Sequence, residues 1–362
     1  HLHVHTQYSL LDGQASIDAL IEKAHKDGMR AIAVTDHGVM FGIKEFFNKV
    51  NKKNGKYKDT IKKAQKELDK INSQAEPLTE EDNQKKAELE KQIQEAEASI
   101  FKPIIGCECY CARHGRHSKL ATQDDRSGWH LIVLAKNLNG YKNLIKMVSL
   151  SWTEGFYGRP RIDKELLEQY HEDLIVCSAC LGGEIPQLIM KGQLKQAEES
   201  VLWFKNLFGD DYYLEMQRHE THDPNADCTI FPHQQEVNKV LVELAHKHQI
   251  KLIATNDVHF VNEEDAEAHD RLICLSTGKD LDDPNRMRYS KQEWMKTTAE
   301  MNKIFADVPE ALSNTLEIAD KVEFYSIDHG PIMPTFAIPE EFGTEESYRT
   351  KFTEEDLFNE FT

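Results

Sequence analysis

The strongest constraint on this chain is a repeated punctuation, in which a short apolar run ends in a polar cluster and helical spacing follows. Residues 30–34 (Arg30-Ala31-Ile32-Ala33-Val34) run into Thr35-Asp36-His37-Gly38, residues 173–179 into Cys180-Leu181-Gly182-Gly183, and residues 250–255 into Asn256-Asp257-Val258-His259. Further runs of the same kind occupy 102–110, 129–135 and 211–217, and the chain opens on the alternating His1-Leu2-His3-Val4-His5. Runs of this length and apolarity predict strands. Helices are expected over 17–26, with Ser16 as N-cap and Gly28 as stop, and over 40–51, 138–151, 193–208 and 233–248. Seven strands alternating with helices predict an α/β fold, a TIM-like (β/α)7 barrel of parallel strands with its chemistry at the C-terminal rim.

One segment departs from the alternation. Residues 52–100 hold eleven Lys and eleven Asp or Glu, with apolar positions at Ile61, Ala64, Leu68, Ile71 and Ala75 and a second seam at Leu89, Ile93, Ala96 and Ile100. Pro77 separates the two seams, and Thr79-Glu80-Glu81-Asp82 reads as a capping box with Asp in the usual Glu or Gln place. An antiparallel helical hairpin over 52–101 is expected, inserted between two barrel elements, either as a solvated insertion or as a partner-binding arm.

A formal net charge of -18 argues against a protein that coats nucleic acid by bulk electrostatics, while acidic surroundings suit divalent cations. No apolar run reaches the roughly 18 residues of a membrane span and no signal peptide opens the chain, so a cytoplasmic location is expected. The seven cysteines are unevenly spread and odd in number, which predicts reduced thiols. Cys107, Cys109 and Cys111 fall on one face of their strand and should pack outward, leaving Glu108 to point inward. Asp280-Leu281-Asp282-Asp283 has the look of a two-metal carboxylate pair, but the Pro284-Asn285 that follows marks it as a turn.

Metal-competent donors recur at the strand ends: His3, His5 and Asp12, then His37, Glu108, His130, Cys180, and Asp257 with His259. Each has an ordinary reading alone, such as a helix cap, a core histidine or an inert thiol. Nine N, O and S donors at successive rim positions exceed what capping and packing require, and predict a polynuclear site for divalent ions.

These motifs, His3-x-His5 with Asp12, Thr35-Asp36-His37-Gly38, Gly106-Cys107-Glu108, His130, Ser178-Ala179-Cys180-Leu181-Gly182-Gly183-Glu184-Ile185-Pro186 and Asn256-Asp257-x-His259, together resemble the PHP (polymerase and histidinol phosphatase) domain. Gly155-Phe156-Tyr157, Pro160-Arg161-Ile162-Asp163 and Leu281-Asp282-Asp283-Pro284 are similar to the version at the N-terminus of bacterial DNA polymerase III alpha subunits rather than to free phosphatases acting on small monoesters. The resemblance implies a distorted (β/α)7 barrel, a PHP domain over 1–283, and over 284–362 the start of a truncated polymerase core region. The start at His1, mid-strand and without Met, is expected to be clipped.

The resemblance further implies three divalent ions, zinc or manganese with magnesium a further option. One would sit on His3, His5, Glu108 and Asp257, with Glu108 bridging to a second on His130 and Cys180, and a third would sit on Asp12, His37 and His259. His1 falls outside the set. The implied activity belongs to DNA replication: a DNA-directed DNA polymerase (nucleotidyltransferase) whose PHP domain is a metal-dependent 3′-5′ exonuclease proofreading the DNA primer 3′ end. His3, His5, Glu108, Asp257 and His259 would act through metal-activated water. From their place in the loop after the sixth strand, Arg218, His219 and His222 are candidates for phosphate contact or proton transfer, or equally members of a plain surface loop. The alternative is a catalytically silent, metal-stabilised module that supports the polymerase core or docks a separate proofreading subunit. Sliding clamp and clamp loader are further implied partners.

Overall fold

The computed structural model describes residues 1–73, 79–120, 126–333, 346–347 and 350. Ser16 accepts a hydrogen bond from the Ala19 N–H and opens α1 (Ile17–Lys26), which buries Ile17, Leu20, Ile21 and Ala24. The chain continues through β1 (Ala31–Val34), α2 (Ile43–Asn72), α3 (Glu80–Ala98), β2 (Lys102–Cys111), β3 (Trp129–Ala135), α4 (Leu138–Thr153), β4 (Arg161–Ile162), α5 (Lys164–Tyr170) and β5 (Leu174–Cys177). Then follow α6 (Glu184–Met190), α7 (Leu194–Phe208), β6 (Tyr212–Met216), α8 (Ile230–His248), β7 (Lys251–Ala254), α9 (Ala266–Thr277), α10 (Thr298–Ile304) and α11 (Pro309–Lys321).

The strands form one curled sheet in the order β1-β2-β3-β5-β6-β7, with β4 paired to β2. The expected opening strand contracts to a single bridge, Val4 to Val258. On one side Ala33 and Thr35 donate to the carbonyls of His1 and Val4; on the other, Val258 donates to His3 and His5 donates to Val258. The segment therefore fits between β1 and the chain just past β7. It stays irregular because side chains replace ladder partners, the Val4 N–H going to Thr35 Oγ1 at 2.8 Å and the Thr6 N–H to Asp36 at 2.7 Å.

One expectation is corrected: the strands are not all parallel. β3 runs antiparallel to both β2 and β5, in the registers Glu108 to Ile132 and Ile132 to Cys177. Parallel neighbours need a crossover, usually a helix. The sequence from 112 to 128 has no helical periodicity to supply one, so the chain turns back beside β2.

The sheet's two faces are both buried. Cys107, Cys109, Cys111, Leu131 and Val133 pack outward with helix residues such as Leu144, Met147 and Phe204. Ile104, Ile132, Leu134, Ile175, Tyr213 and Ile253 face inward, where Ile318, Ala319 and Val322 join them. The chain divides into two units, His1–Tyr325 and Ser326–Thr362. No helix of the described residues is long and apolar enough to cross a membrane.

The hairpin forms with one change of bounds. The expected helix at 40–51 and the first arm are one continuous helix of 30 residues. Gly55 is the weakest helix former there, and a single Gly costs about 1 kcal/mol, too little to end a long helix. Ala64, Leu68, Ile71 and Leu89 make the buried seam, with Ile93 against it. Thr79 and Asp82 form the reciprocal capping box. Ala75 and Pro77 lie outside the described residues. At the root, the buried Asn54 side chain donates to the Phe101 carbonyl at 2.7 Å and accepts from its N–H at 2.9 Å.

Candidate metal centre

Glu108 is the hub. It lies near the end of β2 on the inward face, with Tyr110 paired to His130 two positions on. Because β3 is reversed, its first residues, not its last, lie at the rim. His130 is thereby brought to Glu108, its Nδ1 in contact with Oε1. Cys180, just past β5, places its Sγ 3.5 Å from the same Nδ1.

The other carboxyl oxygen of Glu108 gathers the N-terminal histidines. Oε2 lies 3.0 Å from His5 Nε2, 3.6 Å from His3 Nε2 and 2.8 Å from His37 Nδ1. Asp257 is held at φ +47, a left-handed conformation that Asp tolerates better than most residues, and its Oδ1 reaches to 3.0 Å from His3 Nε2 and 3.3 Å from His5 Nε2. Asp12 stands 3.0 Å from His37 Nε2 and 3.7 Å from His259 Nε2. All nine residues singled out by the sequence thus meet in one place. Three groups have donor atoms within 4.8 Å of one another and can hold ions: His3, His5 and Glu108; Glu108, His130 and Cys180; and His5, His37 and His259. The last differs from the set implied by resemblance, which puts Asp12 rather than His5 with His37 and His259.

The chemistry of the donor set fits divalent cations. Nε2 of His3, His5 and His259, Nδ1 of His37, both carboxyl oxygens of Glu108 and Oδ1 of Asp257 are buried without a hydrogen bond. An unsatisfied buried polar atom costs about 1–3 kcal/mol, so seven converging on one point need something to bind. The opposite ring atoms are already held: His3 Nδ1 by Glu215 at 2.7 Å, His5 Nδ1 by the Ser9 hydroxyl at 3.1 Å, and His259 Nδ1 by the Asp257 carbonyl at 2.8 Å. Such outer partners fix each ring so that Nε2 faces the centre.

Charge follows the same logic. Burial works against the ionised form of Glu108, yet His130 and His37 hold its pKa well below the usual carboxylate range. Asp257 is likewise held low against burial by His3 and His259, and Asp12 by His259, His269 and His37. Burial and His5 push His259 down to about 3. Burial, together with Asp257 and Glu108, pushes the Cys180 thiol well up, so its thiolate requires a nearby cation.

A cavity of about 600 Å³ opens onto the centre, walled by His37, His130, Cys180, Asp257 and His259 and by the loops at 226–230 and 286–289. Arg218 and His222 line a different cavity of about 1080 Å³, where Arg218 is engaged with Asp307 at 2.6 and 2.9 Å. His219 is buried against the Asn256 carbonyl at 3.2 Å. His1 is turned away, its Nε2 on the Lys296 carbonyl at 2.7 Å. All seven cysteines are free thiols, and residues 280–283 form the expected turn, Asp283 N–H to Asp280 O.

Three further residues contribute to the centre beyond the nine donors. Glu215 sits inward on β6 among apolar neighbours, the same signal that marked Glu108, and was legible. His269 on α9, with Nε2 3.7 Å from Asp12, and Tyr289, whose hydroxyl donates to Asp12 at 2.9 Å, follow no strand and carry no such mark.

Comparison with known proteins gives consistent matches. The family model described as PHP domain matches residues 1–219. The chain is 40% identical over 359 residues to the DNA polymerase III subunit alpha of Borreliella burgdorferi, covering 99% of this chain and 26% of that protein. It is 34% identical over 363 residues to the subunit of the same name from Treponema pallidum, covering 100% and 26%. With the Chlamydia pneumoniae subunit it shares 33% over 381 residues, covering 99% and 26%. The chain therefore spans about a quarter of the length of these curated relatives.

Proposed function

Because the chain belongs to the PHP domain family, we propose that its rim cluster is a polynuclear metal site that hydrolyses phosphodiester bonds at the 3′ end of a DNA strand, a 3′-5′ exonuclease proofreading beside a polymerase site. The observation that carries this reading is the clustering of seven buried donor atoms that make no hydrogen bond, next to an open cavity lined by His37, Asp257 and His259. His3, His5, Glu108 and Asp257 would hold one ion, Glu108, His130 and Cys180 a second, and Asp12, His37 and His259 a third, with zinc or manganese favoured by the mixed N, O and S set. When bound, such ions lower the pKa of a coordinated water towards roughly 7 and neutralise charge developing on the phosphate. The chain's own part is to aim and to enclose. Glu215, Ser9 and the Asp257 carbonyl orient three imidazoles, and the loops at 226–230 and 286–289 form the walls against which a strand end would lie.

The relatives' name extends the proposal to DNA replication in the cytoplasm. Residues 1–283 would be the PHP domain and 284–362 the start of the polymerase core of a DNA-directed DNA polymerase, which would work with a sliding clamp and a clamp loader. A second reading has its own support. The donors come from chain segments as far apart as residues 3 and 259, so bound ions would tie the barrel together even without catalysis. In that case the domain braces the polymerase core or docks a separate proofreading subunit.

The test is a primer with a mispaired 3′ end, incubated with the metal-analysed chain and with an Asp257→Asn, His259→Ala variant. Faster trimming by the wild type supports the exonuclease. Full metal content with trimming no faster than the variant's leaves the bracing role.

A further inference from the structure

Beside the centre, Trp152 and Phe156 stand on the surface as a stacked pair, ring centroids 5.4 Å apart and planes 18° from parallel. They are 43% and 47% exposed, so two large π faces are kept in water. Among the described residues nothing closes over the exposed part of the pair, and contiguous exposed apolar surface marks an interaction site. The pair is fixed to the centre's own loop. The indole N–H of Trp152 donates to the Gly38 carbonyl at 2.9 Å, and the Gly38 N–H donates to the Glu108 carbonyl at 2.8 Å. Gly38 follows His37 directly, at φ +61, and is packed so closely that a Cβ would meet Pro160 at 2.7 Å and Tyr110 at 3.1 Å. Around this point, exposed guanidinium groups lie over aromatic rings: Arg159 over Tyr110 at 5.4 Å and Arg126 over Tyr157 at 5.4 Å. In a chain of net charge -18, this shoulder sets cations and aromatic faces side by side.

We propose that the Trp152–Phe156 pair is a stacking ledge for unpaired nucleobases, which receives the frayed 3′ end of a DNA strand as it enters the metal centre, with Arg159 and Arg126 facing its phosphates. Every base offers a π face, so aromatic stacking beside a cationic track binds single strands without regard to sequence. An unpaired end would be held and a paired end would not, which is the discrimination a proofreading site needs. The proposal rests on the exonuclease reading above, but its test separates the two.

The intact chain is titrated with a DNA duplex bearing a four-nucleotide unpaired 3′ tail, its terminal base 2-aminopurine and its last linkages phosphorothioate, so that binding is read by fluorescence without cleavage. A blunt duplex is the control. The ledge predicts tighter binding of the tail than of the blunt end, a loss of about tenfold for Trp152→Ala and for Phe156→Ala, and retention of stacking by Trp152→Phe. Alanine variants that bind the tail like wild type overturn it. So does a Trp152→Phe variant as weak as Trp152→Ala, which would trace the effect to the Gly38 hydrogen bond, and so does intact tail binding with loss of a protein partner. A wild type that grips the tail through the ledge but leaves an ordinary phosphodiester tail uncut overturns the exonuclease reading and upholds the ledge.

Discussion

Asp257 Oδ1 lies 3.0 Å from His3 Nε2, joining residues 254 positions apart across the point where the opening segment meets the chain beyond β7. The same aspartate occupies the left-handed region at φ +47. Asn tolerates that conformation and Ala does not, so the two substitutions separate charge from backbone. Asp257→Asn should fold with the stability of the metal-free chain and lose at least about 100-fold in metal affinity, beyond the 10–100-fold typical of outer-shell changes. Asp257→Ala should lose about 1–2 kcal/mol of stability in addition. Chelator competition and urea unfolding measure the two; equal metal affinity in wild type and Asp257→Asn would remove Asp257 from the donor set.

Glu215 is the outer partner with the clearest task. Its Oε1 accepts from the Thr255 hydroxyl at 2.5 Å and Gln217 Nε2 at 3.1 Å while holding His3 Nδ1. Glu215→Gln should leave the barrel folded and weaken metal binding by about 10–100-fold. Titration with a zinc indicator dye gives the constant, and an unchanged one would deny Glu215 any orienting role.

Metal removal should destabilise the chain. Ions bound by the folded state alone contribute about 4 kcal/mol at a free concentration 1,000 times the dissociation constant. Dialysis against chelator should therefore lower the melting temperature by about 5 °C, with recovery on adding zinc or manganese. A melting temperature indifferent to chelator would speak against both the catalytic and the bracing readings.

Lys296 gives a pH dependence of its own. Burial pushes its ammonium down to about 8 against the pull of Glu293 and Glu300, with Nζ donating to the Gln292 carbonyl at 2.5 Å. Below pH 8 the group is protonated in folded and unfolded chains alike. Between about 8 and the ordinary 10.5 it is neutral in the fold and charged when unfolded, so the unfolded chain binds more protons and stability rises with pH. The rise should be about 2 kcal/mol between pH 8 and about 9.5. Lys296→Met should abolish it in urea unfolding at the two pH values; a variant that keeps the rise places its origin elsewhere.

The donors were legible because each sits at or just past an apolar run, where a polar side chain has no packing reason to be. Glu108 was legible twice, since strand alternation separates it from the thiols of Cys107 and Cys109 and sends them to opposite faces. The direction of β3 is marked by no motif; its one sign is that the sequence from 112 to 128 has none of the helical periodicity a parallel return would need. His130 is the second residue of the run 129–135, and only the reversal of β3 brings a strand's start to the rim. His269 and Tyr289 were invisible because they reach Asp12 from a helix and a loop beyond β7, and contacts of that kind leave no periodic trace. The continuity of α2 is hidden for a simpler reason: composition changes at residue 52, but nothing in the backbone breaks the helix there.

The Asn54 clamp has a mechanical consequence. The long arm of α2 and α3 leaves the barrel and returns to it at one side-chain amide, which meets both the N–H and the C=O of Phe101. Leverage applied at the arm's far end is delivered to that amide and to the first turns of α2, where Phe46, Phe47 and Val50 are buried. Asn54 is thus the fulcrum of the arm, and the point at which the arm could be cut short or exchanged without redrawing the barrel.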